Sequence, residues 1–135
     1  MKNLNVFFLA IVSLLITGCD TVIDCLDDDG PRFPAVAIEP AILNQVYSET
    51  VRVSINNEPR DDNFRYDFNI SGALPAGLST ASSGRDFIFS GTPTETGTFV
   101  FTLFVEVEDN FGFNDDSGLC FFTDSRRYEM TVTMM

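Results

Sequence analysis

The sequence predicts an all-β fold, a sandwich of about seven strands, on three observations. Apolar residues recur at every second position in several runs, no stretch of ten residues carries a helical stripe, and Gly, Pro, Asn and Asp separate the runs at the spacing of strand turns. With 44% hydrophobic residues and 14 phenylalanines in 135 residues, the chain can build a core without any tryptophan.

The first element lies outside the sandwich. A lone Lys2, an apolar run from Val6 to Ile16 and the string Ile16-Thr17-Gly18-Cys19 form a segment that reaches about 16 Å as a helix, against roughly 30 Å of hydrocarbon core. It is too short to span. The small residues before Cys19 resemble the lipobox of bacterial lipoproteins, which implies a signal peptide over 1–18, removal of that segment, and lipidation of Cys19 with thioether-linked acyl chains and palmitate. The alternative is an ordinary secretory signal with a cysteine at the cleavage site. Asp20 resembles the inner-membrane retention signal of enteric lipoproteins. The implied location is the cell envelope, with the chain lipid-anchored to a bacterial membrane and facing the periplasm or the exterior.

Residues 19–33 read as an acidic linker, because Asp20, Asp24 and Asp27 to Asp29 cluster there without any period. The domain is expected over 34–135, a size suited to one compact body. Short strands are expected at 35–39 and 45–47. Val51, Val53 and Ile55 then alternate with Arg52, Ser54 and Asn56, and Phe64, Tyr66, Phe68 and Ile70 alternate with Arg65, Asp67 and Asn69. Leu74-Pro75-Ala76-Gly77-Leu78 is a bend with leucines on both sides, suited to plugging one end of a sandwich.

A strand at 86–90 runs into Ser90-Gly91-Thr92-Pro93, where a glycine can take positive φ and a proline cannot join the ladder. Gly97 opens the longest run, 98–108, in which Phe99, Phe101, Leu103, Val105 and Val107 share a face. Val100 and Phe104 make its other face apolar too, so this strand is expected to be central in its sheet. The segment 113–125 reads as an insertion, and Tyr128, Met130, Val132 and Met134 form the last strand.

Four of these strings occur together and in order: Leu74-Pro75-Ala76-Gly77-Leu78, Phe87-Ile88-Phe89-Ser90-Gly91-Thr92-Pro93, Gly97-Thr98-Phe99-Val100-Phe101-Thr102, and Val107-Glu108-Asp109-Asn110-Phe111-Gly112. Together they resemble the immunoglobulin-like domains of bacterial surface proteins, relatives of the cadherin-like domains of dystroglycan type. The match covers about residues 70–112, with Thr80 standing where the family commonly has an apolar residue. The resemblance implies an immunoglobulin-like/cadherin-like β-sandwich acting as a binding or spacer module, and no enzymatic role.

Charge and residue inventory narrow the chemistry. At a formal charge of −12, phosphate backbones and anionic headgroups are repelled, so the chain is not expected to bind nucleic acid, and its membrane contact rests on the N-terminal lipid. Without a single histidine there is no His-dependent triad, relay or zinc site, and no imidazole to activate a thiol. Three cysteines resolve into Cys19 for lipid and Cys25 with Cys120 as a disulfide pair in an oxidising compartment, two free thiols being the alternative. Such a bond would contribute up to about 4 to 5 kcal/mol through the unfolded chain.

Two clusters could bind something. Asp109, Asn110, Asn114, Asp115 and Asp116 crowd oxygen donors around Gly112, with Asp61, Asp62 and Asn63 in a second loop, so Ca2+ is the candidate cofactor; solvated turn carboxylates are the plain alternative. Phe111, Phe113, Phe121 and Phe122 crowd a segment rich in Gly, Asp and Ser, and either pack over the sandwich edge or contact a partner. The function expected from the whole is a non-catalytic, lipid-anchored envelope module for a protein or glycan. Its rivals are an accessory subunit that pairs by a strand edge and a calcium-dependent adhesion domain.

Overall fold

The computed structural model describes residues 30–56, 58–109 and 122–135, Asp109 by its backbone alone. The described residues form nine strands: β1 (Pro31–Arg32), β2 (Ala41–Ile42), β3 (Tyr47–Arg52), β4 (Ser54–Ile55), β5 (Phe64–Gly72), β6 (Leu78–Ser83), β7 (Asp86–Gly91), β8 (Gly97–Asp109) and β9 (Thr123–Thr133). A 3-10 turn, Asp61–Asn63, precedes β5. The main sheets have the orders β2-β9-β8-β5 and β3-β7-β6, and β1 pairs with β4. Four strands facing three make the seven-stranded, immunoglobulin-like sandwich.

The alternation in the sequence places the core. Val51, Val53, Ile55, Phe87, Phe89, Phe101, Leu103, Val105, Val107, Tyr128 and Met130 are all buried, and no polar or charged residue is buried among the described residues. Rings from the two sheets meet directly, Phe68 with Phe87 at 5.5 Å and Phe89 with Phe101 at 5.2 Å between centroids. Such tilted pairs add stabilisation beyond the area they bury.

The 98–108 run is indeed central, with β5 on one side and β9 on the other. Its second apolar face is not covered, however, for Phe104 is 42% exposed.

Five expectations differ from the structure. Of the strand expected at 45–47 only Tyr47 joins a ladder, as the first residue of β3, while Gln45 lies in a bend and Val46 in no element. Residues 35–39 form no strand: the chain bends at Ala35, and Ile38 is buried without a ladder partner. The linker ends earlier than Phe33, because Pro31 and Arg32 pair with Ile55 and Ser54, and Phe33 enters the core. The insertion is shorter than 113–125, because Thr123 to Arg127 already pair with Glu106 to Thr102. Asp124 and Arg126 occupy the inward positions there, so the alternation that marks the rest of the strand is missing. Strand β6 was not expected at all, since Leu-Ser-Thr-Ala-Ser-Ser has only one large apolar residue and five of its six positions are exposed.

Two devices tie the loops to the sandwich. Tyr47, Tyr66 and Tyr128 each donate the hydroxyl to a backbone carbonyl, of Glu39, Asp61 and Pro34. Burial holds all three phenols above their ordinary value, Tyr47 and Tyr128 at about 12, which keeps them as donors. Pro75 and Pro93 are fully buried, and the 74–78 bend docks on the chain after β7 through Thr92 N–H to Gly77 O (3.1 Å) and Thr94 N–H to Ala76 O (2.8 Å). The bend thus plugs the sandwich as its leucines and proline suggest.

Candidate binding surface

The expected sites fall mostly beyond the described residues. Cys19, Cys25 and Cys120 lie outside them, as do Asn110, Asn114, Asp115 and Asp116 of the calcium cluster and Phe111, Phe113 and Phe121 of the aromatic one. Phe122 is described and is 48% exposed, its carbonyl accepting from Val107 N–H at 2.8 Å. Among the described residues no group of three or more acidic or cysteine side chains is arranged to hold a metal ion.

The second acidic loop is taken up internally. Arg85, from the β6–β7 turn, donates to Asp61 Oδ2 at 2.8 Å and to Asp62 Oδ1 at 2.9 Å, and Asp61 Oδ2 also accepts from Ile55 N–H. Asp61 Oδ1 is buried without a partner. The pair therefore pins the β6–β7 turn to the chain between β4 and β5. Arg85→Met is expected to strand a carboxylate that is 12% exposed and to cost about 2 kcal/mol, read as a fall in urea midpoint. An unchanged midpoint would show that solvent replaces the guanidinium at no cost.

What the fold does assemble is the outward face of β5, β8 and β9. The ladder sets Asn69, Phe104 and Ser125 side by side in one row, and Asp67, Glu106 and Thr123 in the next. These six residues line a shallow concavity of about 740 Å³. Asn69 accepts Ile70 N–H on its carbonyl oxygen at 2.8 Å. Arg65 closes the acidic row, reaching Asp67 and Glu108 at 2.8 Å each. Exposed ion pairs of this kind contribute little stability, so the carboxylates remain available as acceptors.

Chemically this is an aromatic ring framed by hydroxyl, amide and carboxylate groups. A sugar ring could stack on Phe104 while its hydroxyls meet the flanking groups, or a cationic side chain could sit over the ring with carboxylates around it. In the sequence Phe104 marks a central strand. The signal for a surface role was there in its neighbours' polarity, but only pairing with β5 and β9 shows which residues flank it.

Comparison with known proteins agrees with the fold. The family model described as Putative Ig domain matches residues 34–133. Among solved structures, the endo-fucoidan hydrolase MfFcnA4 of glycoside hydrolase family 107 is similar at TM-score 0.53 and 17% identity, over 82% of this chain and 14% of that one. A putative alpha-galactosidase/melibiase from Bacteroides fragilis is similar at TM-score 0.50 and 16% identity, over 84% of this chain and 20% of that one. Titin M4 gives TM-score 0.46 at 9% identity, over 78% and 98%. The chain thus spans a small part of the two hydrolases it resembles, and the likeness is one of fold. No curated protein was found to match.

Proposed function

The chain belongs to the Putative Ig domain family, and on that premise we propose that it is a non-catalytic binding or structural module of the bacterial cell envelope, held to the membrane by lipid on Cys19 and recognising a protein or glycan through the outward face around Phe104. The observation that carries this reading is the placement of chemistry. No polar or charged residue is buried among the described residues, so recognition falls to the surface, and the outward face of β5, β8 and β9 gathers an exposed aromatic with polar groups on both sides.

The Cys19 anchor follows from the lipobox-like segment, and mass spectrometry of the native protein tests it: acyl chains on a mature N-terminal Cys19 are expected, and an intact leader would remove the anchor from the proposal. The recognition surface is tested by a photo-crosslinking phenylalanine analogue at position 104 in intact cells, beside retention of the purified protein on a glycan array. One protein adduct, or retention that Phe104→Ala abolishes, is the expected result. Phe104→Ala should melt within a few degrees of the parent, because the ring is part-exposed. No adduct from position 104, together with glycan retention unchanged in Phe104→Ala, would move recognition elsewhere.

A further inference from the structure

The two main sheets have four edges, and three of them are protected. Strand β2 is only two residues long, β5 carries Arg65 and Asp67, and β3 carries Glu49 and Arg52. Short edges and charged edges resist pairing with another chain. The fourth edge, β6, is different. Leu78-Ser79-Thr80-Ala81-Ser82-Ser83 contains no charge and no proline, and it pairs with β7 at all six positions without a bulge. Lysine, the usual edge protector, does not occur after Lys2. Among the described residues no strand pairs with the far side of β6.

The direction of the backbone groups follows from the ladder. In an antiparallel pair alternate residues turn both N–H and C=O toward the neighbour. Thr92 N–H donates to Gly77 O, which assigns Gly77, Ser79, Ala81 and Ser83 to the β7 side and turns Leu78, Thr80 and Ser82 outward. Leu78 N–H is already bonded to Pro75 O at 3.2 Å. The free edge therefore offers the donors of Thr80 and Ser82 and the carbonyls of Leu78, Thr80 and Ser82.

We infer that β6 is a self-pairing edge, at which two copies of this chain join antiparallel about a two-fold axis at Thr80 and merge their three-stranded sheets into one of six. In that register each Thr80 exchanges N–H and C=O with the other Thr80, and each Ser82 N–H meets the other copy's Leu78 C=O. Every outward donor of both strands is then satisfied, and the donor that Leu78 lacks faces only a Ser82 carbonyl that water can serve. The pairing keeps residues 78–82 of both copies within the strand. A neutral strand suits a second copy because the chain carries −12 overall, and a charged edge would set like charges face to face. The same net charge makes the two chains repel at a distance, so association strengthens as salt is added. A basic partner on this edge would do the opposite.

The inference needs only that the module has the β-sandwich described, and its failure leaves recognition at Phe104 intact, since that face belongs to the other sheet. The test uses the full chain purified in detergent, with Thr80→Cys, Ala81→Cys and Ser48→Cys variants under mild oxidation. Directly opposed residues of a hydrogen-bonded pair lie about 5.5 Å apart at Cα, within disulfide reach. Thr80→Cys is expected to form a covalent dimer at least several-fold faster than the parent, than Ala81→Cys on the adjacent position, and than Ser48→Cys on edge β3. The rate should rise when the ionic strength goes from about 0.01 to about 0.15 M, as the screening length shrinks from roughly 30 to 8 Å. Adding Ser82→Pro, whose lost N–H points away from β7, should slow the Thr80→Cys dimer while the fold persists. Dimer no faster than in the parent or in Ser48→Cys, a faster Ala81→Cys, or crosslinking that salt suppresses would overturn the inference.

Discussion

Gly91→Ala is expected to cost about 3 to 5 kcal/mol, a large share of the roughly 5 to 15 kcal/mol that holds a domain together. Gly91 sits in the middle of the three-stranded sheet, between Tyr47 and Leu78, with φ of +140°, a conformation that side chains rarely adopt. A Cβ there would run into the carbonyl oxygen of Gly77, and a Cβ on Gly77 would run into that of Thr92. Both obstacles are backbone, so neither can rotate away. The two glycines are the point where the 74–78 bend crosses the end of β7. Gly84 supplies the comparison: its φ of +53° is also positive, but a Cβ there meets nothing within 4 Å. Gly84→Ala should therefore cost only about 1 kcal/mol, the ordinary cost of a left-handed residue. Urea denaturation with unchanged slope reads both values. If Gly91→Ala cost no more than Gly84→Ala, the crossing would not be what requires glycine.

Phe89→Ala is the second large effect, at about 3 to 5 kcal/mol. Phe89 is fully buried on β7, and its ring lies 5.2 Å from those of Phe87 and Phe101. Phe101 belongs to the opposite sheet, so the truncation removes a contact that joins the two layers and leaves a cavity between rings that cannot collapse far. Phe104→Ala, one exposed aromatic on the same fold, should change the midpoint little. Comparable losses for the two would mean that the outward face is packed, and the binding surface proposed there would go with it.

Glu49 shows the opposite balance. It faces the inner side of β3, and burial, with Glu39 nearby, holds its carboxyl above the ordinary value. A raised folded value weakens the fold above that value and relieves the cost as pH falls through it toward the unfolded one. Asp86 runs the other way, its carboxyl held down by the hydrogen bonds from Arg52, so its contribution is present above the unfolded value and is lost in acid.

The strands that the sequence displayed are those whose two faces differ in polarity. In β5, β7 and most of β8 the residues that enter the core are Phe, Tyr, Val and Leu, and the alternate positions are less buried. Strand β6 had no such contrast, because an edge over the open side of the sandwich buries almost nothing. The start of β9 was hidden for a related reason, Asp124 serving Phe33 N–H at 2.8 Å in place of an apolar side chain.

The candidate surface divides in the same way. By itself the sequence determined the strand class, the plugging bend, the glycine turn and the apolar core, because each depends on neighbours along the chain and on a period of two. Only the tertiary structure decided that Arg85 neutralises Asp61 and Asp62, that Phe104 stands between Asn69 and Ser125, and that β6 ends a sheet. Those relations join residues far apart in the chain through ladder register and sheet order, which no local pattern of polarity records.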